Sequence, residues 1–183
     1  MARFPVKYDP TGLTVFGMDP GLHGCGVALL DERHQLLQSG WVPAPYTADQ
    51  VARWRGTGQC GRTWDLMARE VHDWLQGAIP GVAVLEHMEV YKGRSTYGDD
   101  LLQLQAICGA VTALVPSVWR LTPQPKAWKG SRSKSAHHAQ LRTILTPEEL
   151  ERLDAQLHNT PANRHHDHLD AVALAMWAAR RLR

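Results

Sequence analysis

The chain has 183 residues, of which 44% are hydrophobic and 21% charged, with a formal net charge of +2. That is enough chain to bury one substantial core. No apolar run approaches the roughly 18 residues of a membrane helix, and the opening MARFPVKYDPTG lacks the apolar stretch of a secretory leader. Cys25, Cys60 and Cys108 are odd in number and show no CxxC spacing, so they read as free thiols and a reducing, cytoplasmic location is expected.

In chain order, Thr14 to Met18 (TVFGM) is a short, partly β-branched run ending in Asp-Pro-Gly, a strand followed by a sharp turn. Gly26 to Asp31 and Leu36 to Val42 read as second and third strands, close enough for an antiparallel meander. Pro43 to Arg62 is polar and irregular and reads as a loop. From Thr63 to Ala78, Trp64, Met67, Val71, Trp74 and Leu75 recur at helical steps. Val82 to Leu85 (VAVL) lacks alternation, as expected of a strand covered on both faces. A helix is expected over Tyr97 to Val115, a strand over Val118 to Leu121, and a loop over Thr122 to Ser135. Two helical pieces follow, Ala136 to Leu145 and Pro147 to Leu157, the second opened by Thr146 as N-cap and Pro147 at N1. The last helix runs from Arg164 to Leu182.

Strand–helix–strand units require right-handed parallel crossovers. The simplest arrangement is an α/β, RNase H-like fold: a five-stranded mixed sheet flanked by helices, in one domain over residues 1–183, with the first strand central and parallel to the fourth.

That plan gives the acids meaning. Asp19 follows the first strand and Glu86 the fourth, so parallel neighbours about 4.8 Å apart would project both from one edge. Active sites of open α/β sheets gather at that edge. Asp167 and Asp170, three apart at the start of the last helix, share a face, and the Ala-rich run after them allows close packing on the sheet. Four such carboxylates repel one another, and oxygen-only ligation favours hard ions. Asp19, Glu86, Asp167 and Asp170 are therefore expected to hold two Mg²⁺ ions, with Mn²⁺ able to substitute, and to catalyse in-line phosphodiester hydrolysis. His158, His165, His166 and His168 suggest zinc, but neither HExxH nor Cys-His spacing accompanies them.

Charge is unevenly placed. From Leu101 to Pro147 there is no Asp or Glu, while Arg120, Lys126, Lys129, Arg132, Lys134 and Arg142 all fall there. Lys126, Lys129, Arg132 and Lys134 flank Trp128, and Tyr91, Lys92 and Arg94 follow Glu86 closely. Basic residues interleaved with aromatics suit distorted nucleic acid, so these eight are candidate DNA contacts.

Several segments resemble the RuvC family of Holliday junction resolvases. Val15 to Gly26 (VFGMDPGLHGCG) is similar to its first-strand motif, Val84-Leu85-Glu86 to its second acidic motif, and Leu104 to Gly109 (LQAICG) to the helix after it. Pro123 to Lys134 resembles its basic loop and His166 to Ala175 its terminal motif. The resemblance implies a homodimer that cuts four-way DNA junctions symmetrically with Mg²⁺. It makes Asp19, Glu86, Asp167 and Asp170 the catalytic metal ligands and places Lys126 and Lys134 near the scissile phosphate. One departure is Glu89, where many members carry an aromatic wedge; the nearest aromatic is Tyr91. The long Pro43 to Arg62 segment suggests a divergent, phage-type branch.

Two other readings stay open: an RNase H-like nuclease acting on structured RNA, and a branched-DNA-binding protein that does not cut. The DPG turn also resembles the phosphate loop of actin-like ATPases and sugar kinases, which need two such domains.

Overall fold

The computed structural model describes residues 8–87 and 98–182. Strands β1 (Val15–Asp19), β2 (Gly24–Leu30), β3 (Leu36–Pro43), β4 (Val82–Leu85) and β5 (Trp119–Leu121) form one sheet in the order β3-β2-β1-β4-β5. β1 pairs antiparallel with β2 and parallel with β4, and β4 pairs parallel with β5. This is the expected mixed sheet, with the meander on one side of β1 and the crossover strands on the other. β1, β3 and β4 run the same way, so their carboxyl ends share an edge.

The helices are α1 (Ala48–Gly56), α2 (Gly61–Trp74), α3 (Gly98–Leu114), α4 (Pro125–Lys129), α5 (Lys134–Ile144), α6 (Pro147–His158) and α7 (His165–Ala178). They make two cores, one on each face. Phe16, Met18, Val27, Ala83 and Leu85 pack with Met67 and Val71 of α2 and Ile107 and Val111 of α3. Val15, Ala28, Leu30, Val82 and Val84 pack with α7 and with Leu141 of α5 and Leu153 of α6. Both faces of β1 and β4 are thus covered, which is why they read as unbroken apolar runs. Among the described residues no helix is long and apolar enough to cross a membrane.

α7 lies unusually close to the sheet. A Cβ on Gly17 would stand 2.6 Å from the Ala171 carbonyl oxygen, and one on Gly26 would stand 2.0 Å from the Asp167 carbonyl oxygen. Only glycine on the strands and alanine on the helix permit this approach. Glu149 anchors the other end of the same layer. Its buried carboxylate accepts from the Leu36 amide (2.7 Å), the Thr146 amide (2.8 Å) and both terminal nitrogens of Arg181 (2.6 and 2.8 Å).

Two helices lie where loops were expected. α1 falls inside Pro43 to Arg62 and is built on a capping box: Thr47 Oγ1 accepts from the Gln50 amide (3.3 Å) and Gln50 Oε1 from the Thr47 amide (2.7 Å). It buries no residue, so the hydrophobic periodicity that reveals helices was missing. α4 is a single short turn begun by Pro125 inside the expected Thr122 to Ser135 loop.

Candidate active site

The carboxyl edge of the sheet gathers the acids. Asp19 ends β1, opposite Gly26 of β2. Glu86 follows β4, and its amide donates to the Met18 carbonyl at 3.1 Å, which carries the β1–β4 ladder to this edge. α7 starts against the same edge, with Asp167 in its first turn and Asp170 one step further along the same face. The helix macrodipole favours negative charge there.

Asp19 feels the other three acids. Burial is the largest influence on Asp19 and raises its pKa well above the carboxylate range; Glu86 raises it further by charge and by a side-chain hydrogen bond, and Asp170 and Asp167 add to the effect. Asp170 is 1% exposed but is shifted the opposite way. Desolvation alone would raise it; the His138 hydrogen bond and the charges of Lys129 and Lys134 outweigh that and lower it. Two carboxyls in one cluster are thus pushed apart in proton affinity.

The cations come from α4 and α5. Lys129 Nζ stands 3.4 Å from Glu86 Oε1 and 3.6 Å from Asp170 Oδ2, and Lys134 Nζ stands 3.6 Å from the same Asp170 oxygen. His138 Nε2 meets Asp170 Oδ1 at 2.7 Å. Burial works against the Lys129 charge, but Glu86, Asp170 and Asp19 prevail and hold its pKa above the usual lysine value. Asp167 has a separate pair of partners, His166 Nε2 at 2.9 Å and Arg164 Nη1 at 3.6 Å.

Asp19, Glu86 and Asp170 thus share one set of neighbours from three chain segments, and Asp167 reaches Asp19 through its charge. Of the expected DNA contacts, Lys129 and Lys134 are engaged with the acids, and Lys126 and Arg132 are exposed beside them. Trp128 is a correction. It is 2% exposed, packs in the α7 core and meets the His137 ring edge-on at 5.1 Å, so its face is not open to a base. Tyr91, Lys92 and Arg94, with Glu89, lie outside the described residues.

Sequence reasoning missed His138 and Arg164. The signal for His138 was its spacing from Lys134, four residues along one helix and so on one face. Two of the histidines weighed for zinc are occupied otherwise. His168 is buried between Ser39 Oγ (2.6 Å) and Thr160 Oγ1 (3.1 Å), and His165 Nε2 bonds the Thr160 carbonyl at 2.9 Å.

The acids' fit to a metal is partial as placed. Among the described residues no three ligating side chains close around one point. The donor set itself, four carboxylates with no thiolate, suits hard divalent ions. The mutual repulsion recorded at Asp19 is what such ions relieve.

No family model and no curated protein matches the chain. Solved structures do. Thermus thermophilus RuvC in complex with Holliday junction substrate aligns at 17% identity over 89% of this chain and 90% of its own, with a TM-score of 0.52. A second Thermus thermophilus RuvC structure aligns at 18% identity over 89% and 91%, with a TM-score of 0.51. The yeast mitochondrial Holliday junction resolvase Ydc2 aligns at 15% identity over 95% of this chain and 79% of its own, with a TM-score of 0.62. Identities this low speak to architecture, and the architecture that this chain shares with all three is the RNase H-like fold.

Proposed function

We propose that this protein is a metal-dependent endonuclease that cuts branched DNA, four-way junctions in particular, as a homodimer in the manner of a RuvC-type resolvase. The observation that carries the reading is the meeting of Asp19, Glu86, Asp167 and Asp170 at one sheet edge, faced by Lys129, Lys134 and His138. A buried anionic cluster rimmed by cations suits a phosphodiester held between divalent ions and lysines.

In this reading the four acids would hold Mg²⁺ or Mn²⁺, two ions per site, and the ions would supply Lewis acidity and a water of lowered pKa. The protein's own groups do the rest. Lys129 and Lys134 balance the acids and are within side-chain reach of a phosphate seated there. His138 fixes the rotamer of Asp170 by its 2.7 Å bond. Arg164 orients Asp167. Water adds to phosphorus as the bond to the 3′ oxygen breaks, leaving a 5′ phosphate and a 3′ hydroxyl. The names of the aligned structures, one of them holding a Holliday junction substrate, support DNA over RNA as the substrate. A dimer presenting two such sites suits paired nicks. The apolar helix α3, with Leu102 69% exposed, is the face we assign to the partner subunit.

The test is incubation of a labelled four-way junction with and without Mg²⁺, using wild type and Asp19→Asn. Paired, metal-dependent nicks absent from the variant are expected. Junction binding with no cutting in Mg²⁺ or Mn²⁺ would favour the non-catalytic reading, and preferential cutting of structured RNA would redirect the substrate assignment.

A further inference from the structure

Helix α1 has no structural reason of the usual kind to exist. It buries no residue, and its hold on the fold comes from the Thr47–Gln50 capping box and a few surface contacts. Most helices in proteins are held by an apolar face against a core. A helix capped this carefully, with only Val51 and Trp54 half-buried, is a presented element.

Its place matters. β3 runs parallel to β1, and its last residue, Pro43, pairs with Gly24, while the next amide, Ala44, donates to the His23 carbonyl at 3.0 Å. β3 therefore ends at the edge that carries Asp19, and α1 begins five residues later. At its far end, Arg55 meets Asp100 at 3.4 Å, in the first turn of α3. α1 thus begins beside that edge and is tied to α3 at its far end.

Its exposed chemistry is mainly basic: Asp49 stands in its first turn, Arg53 and Arg55 follow, and Arg62 opens α2 beside it. Arg53 and Arg62 are exposed. Arg62 lies over the Trp54 ring at 5.9 Å, and Tyr46 meets that ring edge-on at 6.1 Å. Nearer the acids, Arg164 stacks on Trp41 of β3 at 5.4 Å while reaching Asp167 at 3.6 Å. β3, which leads to α1, and β5, which leads to the Lys126 to Lys134 segment, are the two opposite edge strands of the sheet.

We infer that α1 and the start of α2 form a second DNA-contacting arm, in which Arg53 of α1 and Arg62 of α2 grip the phosphate backbone of a duplex arm leading away from the cut site, with Trp54 holding Arg62 in place. This rests on the proposed function and adds to it: the acids sit between two basic flanks, which suits a branched substrate whose arms leave in different directions. Guanidinium pairing with phosphate supplies register and affinity and reads no sequence.

The test uses the full chain carrying Asp19→Asn, so that substrate survives, and a fluorescent four-way junction titrated by anisotropy from low to moderate salt. Each lost phosphate contact removes about 0.9 from the slope of log K against log salt. Arg53→Gln with Arg62→Gln should flatten that slope by about 1.8 and weaken binding at least tenfold near 0.1 M salt. Arg33→Gln serves as control, because Arg33 is exposed in the β2–β3 turn at the opposite edge of the sheet. An unchanged slope, or an equal loss in Arg33→Gln, overturns the inference while the nuclease reading stands. If the chain with native arginines binds no junction at all, the proposed function itself falls.

Discussion

Replacing Gly26 with alanine tests whether the distance between helix and sheet sets the site. The added methyl would stand 2.0 Å from the Asp167 carbonyl oxygen and 2.5 Å from its carbonyl carbon, where real contacts do not fall below 3.0 Å. Both are backbone atoms, so no side-chain rotation relieves the clash; the first turn of α7 must move away from β2. A shift of roughly 1 Å in a catalytic group costs about a hundredfold in rate, and overpacking a core costs about 1–3 kcal/mol. Gly26→Ala should therefore fold with a lowered midpoint and cut a labelled junction about a hundredfold more slowly in single-turnover assays. Gly17→Ala meets α7 one to two turns further on, at 2.6 Å from the Ala171 carbonyl oxygen, and should lose stability with a smaller loss of rate. Leu153→Ala separates the two effects: it removes a buried side chain of α6, destabilises by about 2–5 kcal/mol, and should cut normally while folded. A Gly26→Ala protein with wild-type midpoint and rate would refute the reasoning.

Three further outcomes are expected. Lys129→Met removes the ammonium between Glu86 and Asp170, so calorimetry should show Mn²⁺ bound about tenfold more tightly, a gain of roughly 1.4 kcal/mol, while cutting slows because the cation facing the phosphate is gone. Glu149→Ala strands Arg181 in a partly buried site and should cost about 3 kcal/mol by urea denaturation. The Glu149 pKa is set by burial, which raises it, and by Arg181, Thr146 and Leu36, which prevail and lower it; its contribution is therefore full above the ordinary glutamate range and lost as pH falls through the depressed value. His137 is 1% exposed and desolvation lowers its pKa to about 4. The unfolded chain takes up that proton near 6.5, so stability should decline as pH falls from 6.5 toward 4, by about 3 kcal/mol from this residue alone. His137→Phe should flatten the decline in urea midpoints measured across that window.

What could be read before the fold was known divides along physical lines. Strands buried on both faces announce themselves as unbroken apolar runs, so β1 and β4 and their adjacent acids were legible, and the DPG turn marked the end of β1. Asp167 and Asp170 were legible because three-residue spacing on a helix has a fixed geometric meaning. α1 was not, because a helix without a buried face has no hydrophobic period; its Thr47-x-x-Gln50 box was the trace it left. Trp128 was misjudged because aromatic and basic neighbours in sequence do not say which way a ring turns, and here the ring turned inward against His137. The partnership of His138 with Asp170 depends on how α5 docks on α7, a tertiary relation that no local pattern encodes.

The crossing of α7 over β1 also bears on when the protein becomes active. Asp19 emerges early from the ribosome, and Asp170 only after every strand of the sheet has been synthesised. A growing or prematurely stopped chain therefore carries isolated acids and no cutting centre. In the proposed nuclease, the cutting centre would assemble only once the polypeptide has collapsed around its last helix.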